Sequence, residues 1–357
     1  MRIPFDPSEI ELATTSRGVF GQTVKTYKFP VSPKEAYKSL YRGEPIWQLM
    51  GGESLLFAPR VIPDNIARGM VVDGSRYPAA KDHEINADMF GIEWEFIGSA
   101  NGAMVRPGAP TLLDANDWKR IIKFPDIDKW DWETNAKENT EYLDTDKYVQ
   151  FWFQTGWFER LISWMDFESA AFALVDDEQS DAVKEIMFAL SDLYIRIFDK
   201  CLTHFPQVDG FCIHDDWGGQ KSCFFSPDVG EEIIVPAMRK VTDFLHSHGK
   251  FCDLHSCGQN VKQVPNMIKA GWDSWSGQPV NDTHFEYDQY GDGIIIGVIP
   301  DEIPENATDD EARAAARLYV DRFCNPAKPS MLNGQRMGIN EAFRDEVYRL
   351  SRIAYNP

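Results

Sequence analysis

The chain has 357 residues, of which 43% are hydrophobic and 13% aromatic, enough apolar material for a large core and too much for a disordered chain. Its 36 basic and 56 acidic residues leave a net charge of −20, which argues against nucleic acid and anionic membrane surfaces as partners. No apolar run reaches the roughly 18 residues of a membrane helix. The segment Met1 to Glu11 has no apolar signal-peptide region, and six unevenly spaced cysteines do not make a disulfide framework, so a reducing cytoplasm is expected.

The first 150 residues are irregular, with Pro-Gly punctuation at Pro107-Gly108 and a Trp/Asp/Lys-rich stretch from Phe124 to Trp132. Two strands are expected within them, near Pro45–Met50 and Met89–Ile97. Beyond, short apolar runs alternate with helical patterns. The predicted strands are Val149–Gln154, Gly210–Asp215, Lys250–His255, Ser274–Gly277, Gly293–Ile299 and Ser330–Leu332. The predicted helices are Asp181–His204, Pro227–His248, Val261–Ala270, Asp309–Phe323 and Asn340–Ala354. This alternation implies parallel strands joined by crossover helices. Eight strands would close an α/β barrel of the (β/α)8 TIM type. An open doubly wound sheet is the competing architecture, but no G-x-G-x-x-G follows any strand.

In such a barrel, chemistry gathers where strands end. The sharpest feature there is Leu254-His255-Ser256-Cys257-Gly258. Side chains two apart on a strand share a face. Asp253, His255 and Cys257 therefore point one way, while Cys252, Leu254 and Ser256 point the other. Imidazole with thiolate suits zinc; a satisfied buried histidine beside an inert thiol is the other reading. In Gly210–Gly219 the same parity puts Cys212, His214 and Asp216 inward. Asp216 is read as a metal ligand, a partner orienting a ligating histidine or a general acid; the other reading is that Asp215 or Asp216 caps the next turn. Gln150, Trp152 and Gln154 share a face ahead of Trp157 and could wall a pocket, or belong to an ordinary aromatic core. Thr308 is the expected N-cap of a helix opened by Asp309, Asp310 and Glu311.

The run Asp215-Asp216-Trp217-Gly218-Gly219-Gln220 leads to Ser226-Pro227, and a helix then ends at His246-Ser247-His248-Gly249-Lys250 before Leu254–Gly258. Together these resemble the uroporphyrinogen decarboxylase superfamily. Phe90–Trp94 and Lys123–Asp126 resemble its earlier landmarks. The His-x-Cys-Gly element is similar to that of its cobalamin-dependent methyltransferase branch. The resemblance implies a (β/α)8 barrel over residues 86–357, with residues 1–85 as an irregular N-terminal extension. It also implies a zinc ion on His255 and Cys257 plus a third ligand, commonly a cysteine near the last strand. That segment here reads Met331-Leu332-Asn333-Gly334-Gln335-Arg336-Met337-Gly338 and has none. Asp216, His214 or a residue of the first half is left to supply it. The Arg-rich motif of the decarboxylases is also missing after Glu44-Pro45-Ile46-Trp47.

The expectation is thus a zinc methyltransferase moving a methyl group between a small methylated substrate and a corrinoid (cobalamin) protein, in the manner of an aromatic O-demethylase. Asp216 and His214 are the expected catalytic residues. His255 and Cys257 are the expected metal ligands, and Gln154, Trp157, Trp152 and Asn333 are expected to line the substrate pocket. The alternatives are a metal-free decarboxylase of the same superfamily and a barrel that only binds a small molecule or the corrinoid protein.

Overall fold

The computed structural model describes residues 3–17, 23–334 and 340–356. Gln335 to Gly338, part of the last-strand segment discussed above, lie outside them. Twelve strands are present among the described residues: β1 (Thr14–Arg17), β2 (Thr23–Thr26), β3 (Ser54–Phe57), β4 (Ile85–Ala87), β5 (Glu93–Ile97), β6 (Gly102–Val105), β7 (Tyr148–Phe153), β8 (Gly210–His214), β9 (Phe251–His255), β10 (Ser274–Trp275), β11 (Ile295–Val298) and β12 (Met331–Leu332). Seven of them, β3 and β7 to β12, belong to the main sheet. Its paired strands run parallel and alternate with helices, so the fold is α/β of the TIM-barrel type.

The chain divides into two compact units. The first comprises Met1–Leu55, Asp146–Val149 and Asp273–Pro357. In it, β10, β11 and β12 form a parallel ladder, with Ser274 beside Ile295 and Val298 beside Leu332. The helices Asp309–Phe323 and Glu341–Tyr355 lie at the predicted places. Thr308 caps the first in a full capping box with Glu311, because its hydroxyl satisfies an N–H that the first turn leaves unpaired. The Pro45–Met50 segment is not a ladder strand. A single backbone bond, from the Leu332 N–H to the Leu49 carbonyl (2.9 Å), lays it beside β12.

The second unit comprises Leu56–Thr145 and Gln150–Trp272. It holds the parallel ladder β7-β8-β9, whose registers put Trp152 beside Cys212, Cys212 beside Asp253, and His214 beside His255. The opposite parity, Phe151, Phe153, Phe211 and Ile213, is fully buried. Phe153 meets Tyr194, and Phe211 meets Phe198, on the helix Ser180–His204. That helix offers Val183, Ile186, Met187, Leu190, Tyr194, Ile197 and Phe198 at the 3–4 residue spacing of one helical face.

Two expectations need correction. The Met89–Ile97 strand exists as β5, but it belongs to a separate antiparallel sheet, β4-β5-β6, and not to the main one. Charged residues on alternate positions, Glu93 and Glu95, suit a sheet with one wet face and not a buried parallel strand. The helix predicted over Pro227–His248 has a wide π-type turn at Gly230–Ile234 before Val235–Ser247. Pro236 lacks the N–H that a continuous α-helix would use there, and the wide turn precedes it.

Candidate metal centre

The site is built by the C-terminal ends of β8 and β9, within the second unit. His214 closes β8, with Asp216 two residues on. His255 closes β9, with Cys257 two residues on. Period-2 alternation aims each pair to one face, and the His214–His255 register brings the pairs side by side. The two imidazoles stack, centroids 4.9 Å apart and planes 17° apart. Donor atoms of His214, Asp216, His255 and Cys257 all lie within 4.8 Å of one another.

The loops carrying Asp216 and Cys257 clasp each other. The Cys257 N–H donates to Asp216 Oδ1 (2.6 Å), the Trp217 N–H to Ser256 Oγ (3.0 Å) and the Gln259 N–H to the Gly219 carbonyl (2.8 Å). Gly258 sits at φ +82°, and a Cβ there would stand 2.0 Å from the Gly218 carbonyl oxygen. Only glycine meets both demands, the left-handed backbone and the close approach.

Two of the donor separations are those of a tetrahedral ion. Ligands about 2.0–2.3 Å from such a centre stand roughly 3.3–3.8 Å from each other. Cys257 Sγ is 3.4 Å from His255 Nε2, and His214 Nε2 is 3.6 Å from Asp216 Oδ1. Two imidazoles, a thiol and a carboxylate form a set suited to zinc.

The cluster is strongly polarised. Burial disfavours charge on His214, but Glu159 and Asp216 outweigh it and push its pKa up to about 10. Burial, with the His214 charge second, pushes His255 down to about 3. The two stacked rings are thus driven in opposite directions, His214 toward the charged form and His255 toward the neutral one. Burial pushes the Cys257 thiol up, against the pull of His214.

Sequence reading missed Glu159 and Arg68 beside this cluster, and it offered Asp215 only as a cap of the turn after β8. Glu159 Oε2 lies 2.6 Å from His214 Nδ1, and Arg68 donates to Glu159 Oε1 at 3.1 Å. The Arg68 guanidinium lies 4.5 Å from the Trp94 ring centroid. Asp215, next to His214, turns away and caps the helix Trp157–Met165: its carboxylate accepts the N–H groups of Phe158 (3.3 Å) and Glu159 (2.9 Å) and the Trp217 indole (2.9 Å). Burial lifts its pKa to about 7 against those donors. Gly156 is required beneath it, since a Cβ there would fall 2.4 Å from the Asp215 Cβ. A signal for this helix was available, because Trp157, Leu161 and Trp164 repeat at 4 and 3 residues.

Of the residues expected to line a pocket, Trp152 stands 5.3 Å from the His255 ring, its indole N–H donating to Gln150 Oε1 (3.0 Å). Gln150 in turn donates to Asp253 at 2.5 Å. Gln154, just past β7, is buried, and its side-chain nitrogen has no hydrogen-bond partner among the described residues. Trp157 is part of the core instead: it is fully buried, its ring 5.2 Å from Tyr194 and its indole N–H on Ser191 (2.9 Å), both on the long helix. Asn333 lies in the first unit, just past β12, where its amide donates to the Gly277 carbonyl (2.8 Å).

Fold and site together define an α/β barrel with a His₂/Cys/Asp cluster at its strand ends, His214 buried and the other three partly exposed. The sequence matches no protein-family model and no characterised protein. In structure it is similar to a methyltransferase from Methanosarcina mazei, at 12% identity and a TM-score of 0.57, over 92% of this chain and 100% of that one. That likeness shows the shared fold. A B12-independent methionine synthase from Shewanella sp. W3-18-1 also aligns at 12% identity, over 62% of this chain and 65% of that one, with a TM-score of 0.36. No helix among the described residues is long and apolar enough to cross a membrane.

Proposed function

We propose that this protein is a zinc-dependent methyltransferase that moves a methyl group between a small methylated substrate and a separate corrinoid protein. The observation that carries the reading is the convergence of His214, Asp216, His255 and Cys257 within 4.8 Å at the ends of adjacent strands. The similar Methanosarcina mazei structure is that of a methyltransferase, which agrees with it.

His255 and Cys257 would hold the zinc, with His214 and Asp216 at hand to complete the set. A zinc so held supplies Lewis acidity to the heteroatom that bears the methyl group. The remaining chemistry belongs to the chain. Trp152 offers a flat apolar wall beside His255, which suits an aromatic methyl ether. The buried, unpartnered Gln154 amide provides a donor for a polar substituent on such a ring.

Metal analysis of the purified protein should find about one zinc per chain. Cys257→Ser, nearly isosteric, should fold normally yet lose most of the metal and the methyl transfer to a reduced corrinoid protein. A wild-type protein that binds no zinc, or full activity in the variant, defeats the proposal.

A further inference from the structure

Glu159 and Arg68 decide what His214 can do. The two ring nitrogens of His214 have different surroundings: Nδ1 lies 2.6 Å from Glu159 Oε2, with Arg68 Nη2 farther off at 3.5 Å, and Nε2 lies 3.6 Å from Asp216 Oδ1, on the side of the donor cluster. A carboxylate oxygen only accepts, and its contact is far shorter than that of the donor-only Arg68, so Nδ1 carries a hydrogen and donates it to Glu159. When a cation displaces the second ring hydrogen, the lone pair is on Nε2. We propose that Glu159 is a positioning residue that locks His214 as its Nδ1–H tautomer, making Nε2 the third protein ligand, with His255 and Cys257, of the bound divalent cation. This rests on the zinc reading above.

Three further observations support it. Glu159 is itself fixed, because the first turn of its helix is capped by Asp215, the residue that follows His214. Its other oxygen is occupied by Arg68 Nη1 at 3.1 Å, so the carboxylate cannot swing away from the ring without losing an ion pair. Both partners are largely buried, with side-chain exposures of 11% each, so water does not compete strongly for either. Carboxylate–histidine–metal relays of this kind fix ring orientation and raise the basicity of the ligating nitrogen. The assignment also separates His214 from a proton-transfer role, because its outward nitrogen is committed to the cation.

Glu159→Gln provides the test, and Arg68 makes its outcome directional. The Arg68 guanidinium only donates, so it draws the amide oxygen to itself and turns the NH₂ toward Nδ1. His214 must then accept at Nδ1, its hydrogen moves to Nε2, and the ligand is lost. The expected result is zinc affinity reduced about 10–100-fold, measured by competition with a chromogenic chelator, with shifted visible bands in the cobalt(II)-substituted protein. The metal-free variant should melt close to the metal-free wild type. Unchanged zinc affinity and cobalt spectrum in the variant overturn the inference while leaving the zinc reading intact. A wild-type protein that binds no zinc instead overturns that reading itself. Long-range ¹H–¹⁵N correlation spectra of the zinc-loaded wild type give a second measurement that needs no variant. A hydrogen on Nδ1 of His214 with a metal-shifted Nε2 is expected, and a hydrogen on Nε2 refutes the proposal.

Discussion

Glu286 shows how far a single side chain can be driven from its ordinary chemistry. It is fully buried on the helix Thr283–Tyr290, and neither carboxylate oxygen has a hydrogen-bond partner among the described residues. Burial, helped by the nearby Asp282 charge, pushes its pKa up to about 8. In the unfolded chain it titrates at its ordinary value of 4.5. Below that value both states are protonated and its contribution to stability is intact. As pH rises toward 8 the unfolded chain gives up the proton and the folded chain keeps it, so stability falls across that window. Glu286→Gln removes the titration and keeps the shape. Urea melts should show the wild type losing stability between pH 5 and pH 8 relative to the variant. Parallel pH profiles would show that Glu286 is not held protonated. Glu159, by contrast, has both a guanidinium and an imidazole as partners. Burial makes a carboxylate costly, and its partners decide whether it stays charged.

At the scale of elements, the site depends on two loops that follow β8 and β9 and on one close approach between them. Gly258 allows it, with its positive φ and with the Gly218 carbonyl where a side chain would be. Gly258→Ala must strain the backbone by about 1–3 kcal/mol and push the two loops apart. Since those loops carry Asp216 and Cys257, the variant should lose zinc affinity by more than the small fall in melting temperature implies. Native-like zinc binding in Gly258→Ala would mean that the clasp does not organise the ligands. The helix Trp157–Met165 depends on the same region, because Asp215 caps it from the end of β8. The end of β8 thus carries His214 and also caps the helix of the carboxylate that contacts it.

At the scale of the whole molecule, Arg160 ties distant parts of the second unit together. It is fully buried and pairs with both Asp64 and Asp88, 96 and 72 residues away in sequence. Its guanidinium also lies 4.8 Å from the Phe90 ring centroid, and Asp88 takes the Trp94 indole N–H at 2.9 Å. Arg160→Met leaves two carboxylates buried without their cation, a change that costs on the order of 3–5 kcal/mol. Denaturant melts should show that loss together with a lower yield of folded protein. A loss below about 1 kcal/mol would indicate that the two acids find other partners or become protonated at little cost.

Much of this protein was legible from local pattern. The six strands of the second half and the long helices fall within a few residues of their expected places, because period 2 and period 3.6 are properties of short segments. Parity alone put His255 with Cys257 and His214 with Asp216, since alternation along one strand needs no knowledge of the rest of the chain. The first half was not legible in this way. β3 is only four residues long, the Pro45–Met50 segment meets β12 through one backbone bond and is otherwise held by side chains such as Ser351 and Tyr355, and β5 joins a different sheet. Those outcomes depend on what each segment meets, and the segments themselves do not encode it. The ladder register that stacks His214 on His255 joins residues 41 apart, and the salt bridge of Arg68 with Glu159 spans 91. No spacing rule reaches that far. The sequence by itself determined which side chains share a face and hence which donors the site could use. Only the tertiary structure decided which faces meet, and so placed a buried carboxylate behind one histidine and none behind the other.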